Sequence, residues 1–370
     1  MHARFILIFF LSLSLCTVYA DTIPYTSTGF RAHYGFIIPH SRAIEEVSHT
    51  NPYGFEISIN RLQTSYNRWQ VFNSYWFSGV QAGYFNYQYP EVLGSVFDLT
   101  VYAEPVLKYG PDYFFTVRGG MGLSYHTRFY DKDENPLNQF FSTSLNFPLF
   151  VELRFKYRVA GRTYMTLSGC YNHISNGGFK QPNKGMNFPT AAIGLENFNK
   201  IATSFDHNYS SEAYLTGRII SFSVQALTAL KILEETDIYP EEPVLVYGVS
   251  GRFARQAKTW YSLNAGIEMI VDGYLRGLVR REGTGPDHKR LAITAGQDFL
   301  LGKVIFTQYL GFYIYSPFKA RNPVYQKYEL AYKLLPGLSA GVYLKAHLHV
   351  AELMGLNVSY TIMKKQKPAG

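Results

Sequence analysis

The segment most able to support catalysis runs from Tyr171 to Asn187 and reads YNHISNGGFKQPNKGMN. His173 and Ser175 are two residues apart, so on a β-strand their side chains lie next to each other on one face. The loop that follows offers backbone N–H groups and side-chain amides. Nucleophilic catalysis needs a hydroxyl, an imidazole that takes its proton and donors for an oxyanion. All three are present, although a polar strand end that runs into a surface turn has the same composition.

The elements that would position these residues are β-strands. In residues 143–157, Val151 and Leu153 alternate with Glu152 and Arg154, so one face is apolar and the other is charged. Similar runs recur along the chain and are separated by charged stretches or by stretches with Gly and Pro. No segment after residue 20 has the 18 or so consecutive apolar residues of a membrane-spanning helix. The pattern therefore predicts an all-β protein.

The composition narrows the class of protein. Charged residues make up 17% of the chain, below the average of roughly a quarter for soluble domains, and aromatic residues also reach 17%. Such a chain is not intrinsically disordered. Its two cysteines exclude a disulfide scaffold and a Cys-based zinc site. The net charge of +8 is spread along the sequence, which favours an anionic membrane surface over nucleic acid as the partner.

The N-terminus indicates export. Residues 1–20 combine a basic start, an apolar stretch and a final Ala20, as in a cleaved signal peptide. An exported, aromatic-rich, all-β chain favours an outer-membrane β-barrel over a soluble array of β-sandwiches. At roughly 20–25 residues for each strand and its turn, we expect about 14 antiparallel strands, within a range of about 12 to 16. The predicted barrel is a single domain over residues 21–370.

The faces of the strands place the catalytic segment toward lipid. His173 and Ser175 share their face with Leu167 and Tyr171, and Asn187 shares its face with Ile193. In a membrane barrel the apolar face contacts lipid. A polar pair on that face is costly unless it has a function there. We therefore expect a site at the lipid interface that acts on a lipid.

The segment from His173 to Asn187 resembles the signature of the PagL family, the outer-membrane lipid A 3-O-deacylases. That signature is H-x-S-N, a glycine, P-N-x-G and then an acidic residue, and the order and spacing match here. The resemblance implies an eight-stranded barrel with its site at the outer leaflet, and it covers residues 28–200. Residues 201–370 hold about six further strands and resemble the longer acyloxyacyl hydrolase relatives of Bacteroidetes-type bacteria.

The resemblance also implies a role for each residue of the signature. Ser175 would be the nucleophile, and His173 would be the general base. Asn183 and the backbone N–H of Gly178 would form the oxyanion hole, with Asn176 in support. The substrate would be lipid A of lipopolysaccharide in the outer leaflet, and the reaction would need no metal or cofactor.

The sequence departs from the family pattern at Asn187, where the family has the Glu that orients the histidine. An amide in place of a triad carboxylate can lower the rate by about four orders of magnitude, yet Cys-His-Asn enzymes work with an asparagine. Glu196 is a poor substitute because it lies on the opposite face of its strand. We expect a slower but active site, with a dead site on a porin-like or structural barrel as the alternative. A phospholipase would use the same chemistry.

We expect structural roles for two other groups of residues. The charge row Glu152, Arg154, Lys156 and Arg158 is expected to face the barrel interior, solvated or mutually paired. His347 and His349 share a strand face and are expected to point inward without a metal, because no carboxylate or cysteine accompanies them in the sequence.

Overall fold

The computed structural model describes residues 25–366, apart from residues 67, 70–73, 202–217, 259, 284, 319–321 and 348–349. The predicted signal peptide, residues 1–20, lies outside this part of the chain. The described residues form two closed β-barrels of eight strands each. Within the described ranges, no helix is long and apolar enough to cross a membrane.

The first barrel pairs each strand with its neighbour in sequence, antiparallel throughout, and closes by pairing its first strand with its eighth. Its strands are β1 (Tyr25–Gly35), β2 (Tyr53–Gln63), β3 (Trp76–Asn86), β4 (Ser95–Tyr109), β5 (Tyr113–His126), β6 (Leu145–Ala160), β7 (Thr163–Ser175) and β8 (Met186–Phe198). A short helix α1 (Arg42–Glu45) and a 3₁₀ turn (Glu46–Ser48) lie between β1 and β2.

The second barrel has the same antiparallel order of neighbours and closes between its first and last strands. Its strands are β9 (Arg218–Leu233), β10 (Glu242–Lys258), β11 (Tyr261–Asp272), β12 (Lys289–Leu301), β13 (Val304–Tyr315), β14 (Val324–Leu335), β15 (Leu338–His347) and β16 (Val350–Gln366). Helix α2 (Gly273–Glu282) lies between β11 and β12. Asp272 is its N-cap, and the Asp272 side chain accepts hydrogen bonds from backbone N–H groups of the first turn.

The structure differs from the single barrel expected over residues 21–370. Sixteen strands fall within the expected range, but they close as two barrels. The residues after 200 form eight strands instead of about six. The long run over residues 340–361, for example, contains parts of two strands, β15 and β16. Alternation along a strand determines which side chains face outward, but it does not identify the distant strand that completes the sheet. Closure after eight strands leaves an interior that side chains can fill.

The outer surface of the first barrel is apolar and its interior is charged. On β6, Val151 and Leu153 are 60% and 55% exposed, whereas Glu152 and Arg154 are each 1% exposed. This distribution is the reverse of that in a soluble β-protein and is typical of a barrel whose outer face contacts lipid. The expected inward direction is confirmed for Glu152, Arg154 and Lys156, whereas Arg158 is part-exposed and pairs with Asp112 at the end of the barrel.

The buried charges of the first barrel are paired with one another. Glu104 lies 2.7 Å from Arg118, 3.3 Å from Arg154 and 3.0 Å from Lys156. Lys156 also lies 2.9 Å from Glu196. Buried charges of this kind persist only when each has an opposite charge or hydrogen-bond partners. The interior is thus filled by an ion-pair network, as the mutually paired alternative predicted.

The interior of the second barrel also holds buried charges. Arg290 lies 2.6 Å from Glu352, and His347 Nε2 lies 3.1 Å from the same carboxylate. The inward direction expected for His347 is confirmed, whereas His349 lies outside the described residues. Glu352, near the start of β16, is a carboxylate partner that the sequence pattern did not reveal.

The connections at the two ends of the first barrel differ in length. Residues 36–52, 87–94, 127–144 and 176–185 connect strands at one end; residues 64–75, 110–112 and 161–162 connect them at the other. In outer-membrane barrels the longer loops face the outside of the cell. The end that carries the predicted catalytic segment is therefore the external end.

The long loops fold over the external end and bury an apolar cluster. It includes Ile44 and Phe140 from the loops, both fully buried, together with Ile174 on β7 and Met186 on β8. Ile174 lies between the two predicted catalytic residues, and Met186 precedes the predicted orienting residue. Burial of these neighbours fixes the strand ends and so the directions of the polar side chains beside them.

Candidate active site

His173 and Asn187 face each other across β7 and β8, where they are directly paired. His173 Nδ1 lies 2.7 Å from Asn187 Oδ1, a hydrogen-bond distance. Because this oxygen only accepts, Nδ1 carries the proton and a neutral ring leaves Nε2 free to accept another. A histidine that activates a serine needs this tautomer. An orienting role for Asn187 would use this contact.

Ser175 ends β7 on the face that carries His173 and is 6% exposed. A Cβ atom added to Gly185 would lie 2.9 Å from His173 Cε1 and 3.4 Å from Ser175 Cβ, so both side chains lie against this glycine. Gly185 also has a positive φ of 70°. Within the described residues no hydrogen bond joins the serine to the histidine; without substrate, such catalytic contacts are often long.

Asn176 organises the loop between β7 and β8. Its Oδ1 accepts from the Gly178 N–H at 3.0 Å, and its Nδ2 donates to Lys180 O at 2.6 Å. Its own N–H donates to Asn183 Oδ1 at 3.1 Å. Gly177 and Gly178 have φ values of 68° and 80°, a region that glycine adopts most readily. These contacts fit the supporting role expected of Asn176.

Two further donors lie in the loop that follows Ser175. The Gly177 N–H donates to Ser175 Oγ over 3.4 Å. Asn183 Nδ2 is buried and has no hydrogen-bond partner among the described residues. A buried donor of this kind costs about 1–3 kcal/mol unless a ligand satisfies it. The Gly178 N–H, which was predicted as a donor, is held by Asn176 Oδ1 in this arrangement.

The same loop lies against the second barrel. Phe179 O accepts a hydrogen bond from Ile232 N, near the end of β9, at 3.1 Å. Lys180 Nζ lies 2.9 Å from the carboxylate of Glu241, which precedes β10. The loop that connects β7 and β8 is therefore shared between the two barrels.

His40 is a further side chain at the site, and the sequence analysis missed it. It lies in the loop between β1 and β2, with Nδ1 3.3 Å from Asn187 Nδ2 and Nε2 3.0 Å from Lys184 O. No spacing or motif indicates this contact, because 147 residues separate His40 from Asn187.

Two family models match this sequence. The one described as "Lipid A 3-O-deacylase (PagL)" matches residues 54–196. The one described as "Acyloxyacyl hydrolase, C-terminal domain" matches residues 170–365, more than half of the chain. The chain belongs to the PagL family. PagL proteins are outer-membrane lipid A deacylases and thus ester hydrolases, so this barrel protein is an outer-membrane protein. None of the curated proteins matches the sequence.

Several solved structures also match this chain. The "crystal structure of the outer membrane enzyme PagL" matches with 16% identity and a TM-score of 0.31, covering 45% of this chain and 97% of that one. Two mutants of the Rh. blastica porin match with 9% identity and a TM-score of 0.20, covering 92% of this chain and 100% of theirs. These TM-scores are too low to carry an argument, so membership of the PagL family rests on the family models.

The six residues predicted for the site lie together at the external end of the first barrel. They are His173, Ser175, Asn176, Gly178, Asn183 and Asn187. Glu196, in contrast, is buried in the barrel interior against Lys156, which agrees with its position on the opposite strand face. Among the described residues, no group of three or more His, Cys, Asp and Glu side chains could hold a metal ion.

Proposed function

We propose that this protein is a serine esterase that removes an ester-linked hydroxyacyl chain from lipid A. The hydrogen bond of 2.7 Å between His173 Nδ1 and Asn187 Oδ1 carries this proposal. It leaves His173 Nε2 as a proton acceptor two residues from Ser175, and acyl transfer to a serine requires that arrangement. Lipid A as the substrate class is supported by the PagL family.

In the first half of the reaction, Ser175 Oγ attacks the ester carbonyl and its proton passes to His173 Nε2. The carbonyl oxygen becomes an oxyanion, which Asn183 Nδ2 and the Gly177 N–H would stabilise. Collapse of the intermediate breaks the bond to the lipid A oxygen, which takes the proton from His173. The acyl chain is left as an ester of Ser175.

In the second half, water attacks the acyl-enzyme and gives a proton to His173. Collapse of the second intermediate releases Ser175 Oγ, which takes that proton back. The products are a hydroxy fatty acid and a lipid A molecule with a free hydroxyl in place of the ester. This route uses side chains and backbone groups of the protein together with one water molecule.

The surroundings of the site suit a lipid substrate. Leu149, the β6 partner of His173, is 40% exposed, and Tyr171 on the same face is 48% exposed. These side chains extend the lipid-facing surface directly below the catalytic residues. An ester bond in the outer leaflet can therefore approach from the side without entering the barrel.

A porin-like barrel with a degenerate site is the alternative. It requires a water-filled interior, whereas buried ion pairs around Glu104 and Lys156 occupy the first barrel and an apolar cluster covers its external end. A phospholipase would use the same catalytic groups, so the assay must separate the two lipid substrates.

The test is mass spectrometry of lipids from Gram-negative cells that express the native protein, Ser175→Ala or Ser168→Ala. Ser168 lies on the same strand but faces the interior, where it accepts from Arg31 at 3.2 Å, and serves as the matched control. We expect loss of one hydroxyacyl mass from lipid A with the native protein and with Ser168→Ala, and unchanged lipid A with Ser175→Ala.

Three other results would count against the proposal. Deacylation that survives Ser175→Ala excludes this serine as the nucleophile. A folded native protein that cleaves glycerophospholipid but leaves lipid A intact makes the enzyme a phospholipase. If no lipid changes and the purified protein conducts ions in planar bilayers, the porin-like alternative is correct.

A further inference from the structure

The amide of Asn187 contacts a histidine at each end. Its Oδ1 lies 2.7 Å from His173 Nδ1, and its Nδ2 lies 3.3 Å from His40 Nδ1. His40 Nε2 lies 3.0 Å from Lys184 O, which can only accept, so this nitrogen carries the proton of a neutral ring. His40 Nδ1 is then an acceptor for Asn187 Nδ2. Its 3.2 Å contact with Ile38 O would need the other tautomer or the cation.

The direction of this amide decides whether the general base works. With Oδ1 toward His173, the proton of that ring stays on Nδ1 and Nε2 accepts the serine proton. A reversed amide would present its NH₂ group to His173 Nδ1, which would then have to accept and would move the ring proton to Nε2. A carboxylate has no such second state, because both its oxygens accept. An asparagine at this position therefore needs a partner that a glutamate does not.

We infer that His40 is that partner: it positions Asn187 by accepting from Nδ2 and thereby holds His173 in the active tautomer. This inference rests on the proposed function and extends it, since it explains how an amide performs the orienting role. His40 is a positioning residue and does not touch the reacting atoms. Its ring is held in turn by Lys184 O, in the same loop as the candidate oxyanion donors.

A double-mutant cycle tests the inference. In the native background, His40→Ala should lower kcat by about 10- to 100-fold with little change in KM, by analogy with the outer partners that orient metal-binding histidines. In an Asn187→Glu background the loss should shrink to about threefold or less, because a carboxylate orients His173 by itself. His49→Ala, an exposed histidine in the same loop, is the control and should leave kcat at the native value.

Equal losses in the two backgrounds would show that His40 only supports its loop, and no loss in the native background would also overturn the inference. A second measurement does not depend on substrate. ¹⁵N NMR of the histidines in detergent micelles should show the His173 proton on Nδ1 in the native protein and a shift toward Nε2 in His40→Ala. An unchanged tautomer refutes the inference, whereas an inactive native protein with the expected tautomers refutes only the proposed function.

A separate set of contacts concerns the second barrel. A Cβ atom added to Gly177 would lie 2.7 Å from Met354 Cβ on β16, and one added to Gly178 would lie 2.7 Å from Glu352 O. The next residue along, Phe179, accepts a backbone hydrogen bond from β9 at 3.1 Å. Three consecutive residues of the loop after the serine are thus in contact with the closing strands β9 and β16.

We infer that the second barrel positions the catalytic loop. The residues it contacts, 177–179, include the Gly177 N–H that donates to Ser175 Oγ and lie inside the turn held by Asn176. The ion pair between Lys180 and Glu241 adds a further contact just beyond them. The second barrel would thus contribute to kcat by holding the oxyanion donors.

Charge reversal tests this second inference in the full chain. Lys180→Glu and Glu241→Lys should each lower kcat about three- to tenfold, because like charges then meet at the loop, and the double reversal should restore it to within about twofold. The ion pair of Arg158 with Asp112 at the other end of the first barrel is the matched control, and its reversal should leave kcat unchanged. Met354→Ala is a second, uncharged variant and should also lower kcat.

The rate of tryptic cleavage in this loop tests the second inference without any substrate. Glu241→Lys and Met354→Ala should speed tryptic cleavage after Lys184, which is exposed near the end of the same loop. If kcat and cleavage both stay at native values in these variants, the second barrel does not position the loop. If cleavage accelerates while the native protein deacylates no lipid, the positioning role stands and the proposed function fails.

Discussion

Asn183→Ala should separate catalysis from stability. The two polar atoms of the Asn183 side chain differ in their surroundings. Oδ1 accepts a hydrogen bond from Asn176 N at 3.1 Å, and Nδ2 is buried without a partner among the described residues. A donor that is buried and unsatisfied in the resting protein is expected where a reaction intermediate will satisfy it. The substitution removes both atoms together.

The effects on stability oppose each other. Loss of Oδ1 leaves the Asn176 N–H without its acceptor, at a cost of about 1–3 kcal/mol, and loss of Nδ2 relieves a penalty of similar size. The free energy of unfolding should therefore change by less than about 2 kcal/mol. Loss of an oxyanion donor should lower kcat by about 10²- to 10³-fold, equivalent to about 2.7–4 kcal/mol of transition-state stabilisation.

The assay pairs turnover with unfolding of the same purified protein. Lipid A deacylation is followed by mass spectrometry over time, and unfolding is followed by urea titration in lipid vesicles. Asn135→Ala is the matched control, because Asn135 is also a buried loop asparagine but its Nδ2 donates to Val92 O and Phe129 O. That variant should lose stability and keep its kcat, the opposite pattern.

A kcat for Asn183→Ala within about fivefold of the native value would refute this reasoning, since an oxyanion donor contributes far more. A large loss of both stability and kcat would also refute it, because the two hydrogen-bonding effects would then not offset each other. Only a selective loss of kcat assigns the unpartnered Nδ2 to the transition state.

Three other perturbations have defined outcomes. Asn187→Glu should preserve or raise kcat, because a carboxylate also accepts from His173 Nδ1; a many-fold drop in turnover would give Asn187 another role. Gly178→Ala should lower kcat and strain the loop by about 1–3 kcal/mol, because φ is 80° and the new Cβ would meet Glu352 O at 2.7 Å; native turnover would contradict this. Leu153→Arg should destabilise the barrel in vesicles by up to about 2–4 kcal/mol, since Leu153 is 55% exposed on the lipid-facing side; an unchanged urea midpoint would be evidence against a bilayer around β6.

The loop between β7 and β8 contacts both barrels. The loop follows Ser175 at the end of β7 in the first barrel and contacts the closing strands β9 and β16 of the second. The PagL family models overlap at this place as well, since residues 170–196 belong to both matches.

The local features of this protein follow from the sequence. Alternation in β6 determined that Val151 faces outward and Glu152 inward, because side chains of successive strand residues point to opposite faces. The spacing of His173, Ser175 and Asn187 in the PagL-like signature predicted one site, and β7 and β8 bring these residues to one end of the barrel, because the loop 176–185 joins the two strands into an antiparallel pair.

Tertiary structure decided what depends on residues far apart in the chain. Closure pairs β1 with β8 and β9 with β16, and the same alternation would fit one larger barrel equally well. The contact between His40 and Asn187, the engagement of the Gly178 N–H by Asn176 and the docking of the loop on β16 have no sequence pattern. Each depends on where a loop lies once the barrels have closed, and loop positions are set by packing and not by periodicity.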